Sequence, residues 1–167
     1  EPACFLAALL NSQPMGFYSA ATIVGDSQRH GLQIRPIDVT RSAWDSTLEP
    51  VDDDFGFAVR MGLRWIKGMQ MIDGGRIVMA REARPFESLE DFVRRAQVPA
   101  RMHAMLAEGG ALGELVPTRR DALWQVTGWV ARQDDTMTLG GDVNDEVGFA
   151  KLGALDEIFW DYATSDH

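Results

Sequence analysis

The sequence predicts a mainly α-helical fold with one short β-element, and three observations carry that prediction. Apolar residues recur at helical spacing through most of the 167-residue chain. Gly31, Gly68, Pro85, Pro99, Gly109 with Gly110, and Pro117 stand at the borders of those stretches, where they stop or start helices. Extended-chain signals are confined to residues 32–48, where Pro36 holds Arg35 in extended geometry and cannot itself sit in a central strand.

Composition sets the frame. Hydrophobic residues make up 46% of the chain and charged residues 25%, ordinary for a globular protein with a proper core. No apolar run approaches the roughly 18 residues of a membrane span and no leader pattern opens the chain, which predicts a cytoplasmic protein with no membrane partner. Cys4 is the single cysteine and lies in an apolar run, so it is expected to be a buried, inert thiol.

Taken in order, residues 2–10 read PACFLAALL, apolar almost all round, as suits a helix buried against other parts of a larger protein. With Glu1 at the start and His167 at the end, the chain is expected to be an excised fragment. Ser19 can cap a helix running to about His30, with Ile23 and Val24 inward and Gly31 at its C-terminal end. Residues 32–39 form a short extended segment, and residues 42–48 a turn and second short strand. Asp52, Asp53 and Asp54 invite a metal reading, but consecutive carboxylates splay apart, so a solvated turn is expected instead. His30, His103 and His167 lack zinc-type spacing.

Residues 56–84, GFAVRMGLRWIKGMQMIDGGRIVMAREAR, read as two short helices joined by a tight glycine turn. Leu63, Trp65 and Ile66 supply the first helix, Gly68 breaks it, and the second runs from about Ile72 with Ile77, Val78 and Ala80 for packing. This is a helix-hairpin-helix pattern. Its turn amides and the N-terminus of its second helix converge on one spot that suits a phosphate. Arg64, Lys67 and Arg76 flank the turn and would add charge against a nucleic-acid backbone without reading bases. The competing reading is an ordinary antiparallel helix pair whose basic residues only face water.

Beyond Pro85, Ser88 and Asp91 resemble a capping box for a helix carrying Leu89, Phe92, Val93 and Ala96. Pro99 opens the next, lined inside by Met102, Met105 and Leu106 and ended by Gly109 and Gly110. Pro117 and Thr118 open a longer helix through Trp124, Val126 and Val130. Together these predict a compact unit with two similar phosphate-facing turns. Residues 133–148 read as a flexible acidic linker, and residues 152–162 as a short helix that docks elsewhere.

The net charge of −9 is unevenly distributed. Residues 55–132 hold twelve Lys or Arg against eight acids, whereas residues 133–167 hold one Lys against nine acids. The hairpin region is therefore positive inside an acidic chain, and the acidic end suits a linker or partner-facing surface.

The opening, PACFLAALLNSQPMGFYSAATIVGDSQRHGLQIRPIDVTRSAWD, resembles the end of the fingers region in bacterial C-family DNA polymerases, the DNA polymerase III alpha subunit family. LNSQPMGFYS at residues 10–19 is similar to the error-prone, DnaE-like (ImuC) branch. The resemblance continues through MGLRWIKGM, RIVMARE, PFESLEDFVRRA, LAEGGALGEL and RRDALWQV, reaches about Val130 and resumes near residues 156–163. It implies fingers at residues 1–54, a tandem helix-hairpin-helix DNA-binding domain at 55–132, an acidic linker at 133–150 and the start of a further region at 151–167. A polymerase of this kind is a nucleotidyltransferase that extends a primer with carboxylate-held Mg2+ in a palm domain preceding Glu1. The resemblance thus implies an inactive fragment without catalytic residues or a cofactor of its own.

The implied DNA-binding positions are Arg64, Lys67, Gly68, Met69, Gln70, Gly74, Gly75 and Arg76, facing duplex or primer-template DNA irrespective of sequence. Gln70 departs from the pattern, since a second glycine is usual there, and a positive φ at Gln70 would cost roughly 1 kcal/mol. Gly74 and Gly75 would allow close approach of a backbone while weakening the helix. The remaining polymerase domains, and accessory translesion or clamp proteins, are the implied protein partners. The alternative is a scaffold that docks such accessory factors through the acidic tail and the first helix, without DNA. A free-standing enzyme has no support, because no nucleophile, base and orienting group share a telling spacing and no P-loop or Rossmann turn appears.

Overall fold

The computed structural model describes residues 2–14, 19–52 and 56–129, with the backbone of the last helix followed to Met137. The expectations for Asp53, Asp54, His167, the linker beyond residue 137 and the helix at 152–162 lie outside these residues. Among the described residues the elements are α1 (Pro2–Asn11), α2 (Ala20–Arg29), β1 (Ile34–Arg35), β2 (Thr47–Pro50) and β3 (Phe57–Arg60), then α3 (Met71–Ala83), α4 (Leu89–Ala96), α5 (Ala100–Glu108) and α6 (Arg119–Met137). The fold is mainly α, as expected, with a small mixed sheet. None of these helices is long and apolar enough to cross a membrane.

Helix α1 buries Ala3, Leu6, Ala7 and Leu10, the i, i+3, i+4, i+7 stripe of a helix with one inner face, and packs on β2 and β3. Its other face is open, with Phe5 71% exposed. Cys4 lies on that open face, so the expectation of a buried thiol is corrected: an apolar neighbourhood in sequence does not fix which side of the helix a residue takes. Helix α2 begins and ends where the sequence put it. The Ser19 hydroxyl accepts from the Thr22 amide at 3.2 Å, and Gly31 leaves the helix with φ of 85°.

The sheet has the order β1-β3-β2, with β3 parallel to β1 and antiparallel to β2. Strand β3 lies in the stretch expected to be the first hairpin helix, which is a second correction. FAVR is too short for periodicity to separate strand from helix, and pairing on both edges decides the matter. Ala58 and Val59 are fully buried there. One ionic clamp ties all three strands. Glu49 on β2 accepts two bonds from Arg60 on β3, at 2.8 and 3.0 Å, and one from Arg35 on β1 at 2.6 Å. The Arg60 hydrogen bond, assisted by Arg35, holds the Glu49 carboxyl below its ordinary pKa against the opposing effect of burial.

The connection through residues 36–46 joins the sheet to the helices. The Val39 amide donates to the Ala111 carbonyl at 2.9 Å, and Arg81 on α3 donates to the carbonyls of Val39 and Ser42 at 3.1 and 2.8 Å. The Ser42 hydroxyl donates to the Met61 carbonyl at 2.7 Å. Trp44 lies against Gly74 so closely that a Cβ there would stand 2.6 Å from its ring. Core side chains from α1 to α6 form one continuous cluster around these contacts.

Helix α4 starts on the Ser88 hydroxyl, which accepts from the Asp91 amide at 3.1 Å, and Phe92 fills the space between Phe86 and His103 with edge-on ring contacts. Thr118 caps α6 in the same manner through Asp121. Helix α6 continues to Met137, past the expected start of the acidic linker at residue 133.

Candidate nucleic-acid interface

The first hairpin is built from a 3-10 turn rather than a helix. Leu63–Trp65 forms a single turn because the amides of Leu63 and Arg64 are already committed to the carbonyls of Ala43 and Trp44. Ile66 and Met69 then point inward at 5% and 8% exposure, and the Met69 amide closes the turn on the Ile66 carbonyl at 3.0 Å. Gly68 sits between them with φ of 74°. Gln70 caps α3 in extended geometry, φ −98°, so the missing second glycine carries no backbone strain. The positive φ that the turn needs is met by Gly68 alone.

Lys67, Gly68 and Gln70 are exposed, and Lys67 has no ion-pair partner among the described residues. The amides of Asp73 and Gly74 both donate to the Gln70 carbonyl at 3.0 Å, while those of Met71 and Ile72, the first two of α3, have no intrahelical acceptor by helix geometry. Asp73 in the first turn of α3 is buried and opposes an incoming anion, but Arg76 approaches it at 3.4 Å. Arg76 also donates to the Gln97 carbonyl at 3.2 Å and stays half exposed. Gly75 faces open space.

Besides Arg76, three of the expected positions are engaged within the fold. Arg64 donates to the carbonyls of Asn11 and Gln13 at 3.0 and 3.2 Å and to Asp45 at 2.8 Å, which fastens the end of α1 to the turn. Gly74 is needed by Trp44. Met69 is core.

The second hairpin, α5 to α6, has its own positive-φ glycine, Gly110 at 69°. Its turn faces inward: Ala111 and Leu112 are 0% and 1% exposed, and the Ala111 carbonyl receives Val39. The Arg119 guanidinium covers Gly110, lying 2.9 Å from where a Cβ would be, and burial lowers its pKa. The two turns are therefore not alike, contrary to the sequence expectation. The first has an exposed lysine beside its glycine, whereas at the second the Arg119 guanidinium lies over the glycine itself.

No group of three or more His, Cys, Asp or Glu side chains converges among the described residues. Sequence reasoning passed over Arg101. Gly68 faces the terminal methyl of Met102, with 3.6 Å between that methyl and a Cβ built on the glycine, which brings the start of α5 to the first turn. No spacing in the chain announces that approach across more than thirty residues.

A profile of the helix-hairpin-helix motif matches residues 31–122. The chain belongs to the helix-hairpin-helix family. Its relatives are similar in name and extent. An error-prone DNA polymerase of Azoarcus sp. (strain BH72) is 45% identical over 169 residues, covering 99% of this chain and 16% of the relative. Error-prone DNA polymerase 2 of Rhizobium meliloti (strain 1021) is 51% identical over 126 residues, 75% of this chain and 12% of the relative. An error-prone DNA polymerase of Anaeromyxobacter sp. (strain K) is 41% identical over 171 residues, 99% of this chain and 15% of the relative. This helix-hairpin-helix chain is thus DnaE-like in sequence, and spans about a sixth or less of the curated relatives it matches. The profile begins at Gly31, so it takes in the sheet as well as α3, α4, α5 and the start of α6, and leaves out α1 and α2.

Proposed function

We propose that this chain is the sequence-independent DNA-backbone module of an error-prone polymerase. The observation that carries the reading is the exposed turn Lys67-Gly68, whose positive φ at Gly68 leads the chain directly into the N-terminus of α3. A phosphate at that turn meets the α3 amides and a lysine ammonium, with Arg76 alongside. Lys67, Gly68, Gln70, Gly75 and Arg76 are the proposed contacts, while Arg64, Met69 and Gly74 hold the turn in shape. No base is read, which suits an enzyme that must copy any template. In this reading primer extension, its palm carboxylates and their Mg2+ belong to other parts of the polymerase, and accessory translesion proteins reach the DNA with it.

The test is fluorescence anisotropy of a labelled primer-template duplex at a series of salt concentrations. Two phosphate contacts predict roughly tenfold weaker binding at 200 mM than at 50 mM salt, and Lys67→Ala with Arg76→Ala weakens binding at every salt. Absence of binding at low salt overturns the reading in favour of a scaffold. That second reading rests on Phe5, exposed at the mouth of an apolar groove between α1 and α2.

A further inference from the structure

We infer that Arg101, at the start of α5, is a third backbone-binding cation that works beside Lys67 and Arg76. This deepens the proposed DNA-backbone function and rests on it. The first turn does not stand alone. A Cβ added at Gly68 would stand 3.6 Å from the Met102 methyl, and Lys67 and Arg101 immediately precede these two residues in sequence. The corner before α5 is drawn to the same place. Gln97 turns the chain in the left-handed conformation, φ 50°, and its carbonyl receives the Arg76 guanidinium at 3.2 Å.

Lys67, Arg76 and Arg101 thus lie on three segments that the Gly68–Met102 approach and the Arg76–Gln97 hydrogen bond bring together, and all three are exposed. The acids nearby do not cancel them. Asp73 is buried and engaged by Arg76, Asp91 is buried among Arg84, Arg94 and Arg95, and α5 has no acid in its first turn. Arg101 has no carboxylate within 4.0 Å among the described residues. An exposed guanidinium left without a carboxylate, beside a turn that suits a phosphate, fits a neighbouring phosphate of the same duplex.

The salt dependence of duplex binding by the 167-residue chain reads this directly, because every phosphate that a variant no longer neutralises makes the plot of log affinity against log salt shallower by about 0.9. Arg101→Gln, Lys67→Ala and Arg120→Gln are compared with the parent chain on a fluorescent primer-template. Arg120 is likewise exposed without a carboxylate partner among the described residues, and lies at the start of α6, so it controls for loss of one positive charge. Thermal unfolding confirms that each variant folds. The expected result is a shallower slope for Arg101→Gln and Lys67→Ala, with Arg120→Gln unchanged. An unchanged slope for Arg101→Gln beside a shallower one for Lys67→Ala overturns this inference and leaves the hairpin reading intact. Equal losses for Arg101→Gln and Arg120→Gln overturn it as well, since general charge then explains both. Absence of duplex binding by the parent chain removes the hairpin reading and this inference together.

Discussion

The two hairpins share a local plan and differ in what surrounds it. Each turns on one glycine with φ near 70° and passes the chain from one element into a helix. At Gly68 the turn stands in solvent with Lys67 beside it; at Gly110 the following residues are buried and Arg119 closes over the glycine. The difference teaches that a helix-hairpin-helix turn is a piece of backbone geometry, not a function. One copy is closed over by the fold, and the other stands exposed.

Four experiments test that division, beginning with the greatest loss. Leu112→Ala, in the inward turn, removes a side chain that is 1% exposed and is expected to cost about 2–5 kcal/mol in urea unfolding. Lys67→Ala at the outward turn is expected to stay within about 0.5 kcal/mol of the parent. Equal stability losses would show that the first turn is also structural. Next, Gly110→Ala forces a side chain into positive φ and against Arg119, whereas Gly68→Ala meets only the φ strain of about 1–2 kcal/mol. Chemical denaturation should rank Gly110→Ala as the worse, yet duplex affinity should fall only for Gly68→Ala.

Acid stability separates the regions in a third way. His103, on α5 of the inward hairpin, is 4% exposed; burial lowers its pKa, against a weaker opposing effect from the Ala100 carbonyl, which does not reach hydrogen-bonding geometry. The folded state therefore favours neutral imidazole. Its contribution is fully present above the ordinary value of 6.5 and declines as pH falls below it. Asp91 behaves likewise at lower pH: burial tends to raise its pKa, but Arg95, Arg94 and the Glu87 amide hold it at about 2, so its stabilisation is lost as pH falls from 3.8 towards 2. Unfolding titrations of His103→Leu should lack the step near neutrality and retain the acid one. Persistence of the neutral-pH step in that variant would refute the assignment. The smallest effect is at Gln97, where glycine in place of a left-handed residue should raise the unfolding free energy by about 0.5–1 kcal/mol.

What the sequence made legible was local. Ser19 and Gly31 bounded α2, Ser88 with Asp91 opened α4, and Gly68 marked the turn, because each effect acts within a few residues of its cause. The rest depended on distant partners. Phe57 to Arg60 became a strand through pairing with residues 34–35 and 47–50, and the first hairpin helix shrank to a single turn as Ala43 and Trp44 took its amides. Gly74 looked like an opening for DNA and proved to be the seat of Trp44. Arg64 looked like a DNA contact by proximity in sequence, yet its acceptors lie more than fifty residues earlier and at Asp45.

That anchorage of Arg64 has a mechanical side. Its guanidinium bonds the carbonyls of Asn11, at the end of α1, and Gln13, and Arg64 lies three positions before Lys67, so these bonds couple α1 to the exposed turn. A push on α1 from any neighbour has to rotate the turn or break those bonds. On the proposed DNA-backbone reading, displacement of the helix and the grip on a phosphate are thereby geared to one another.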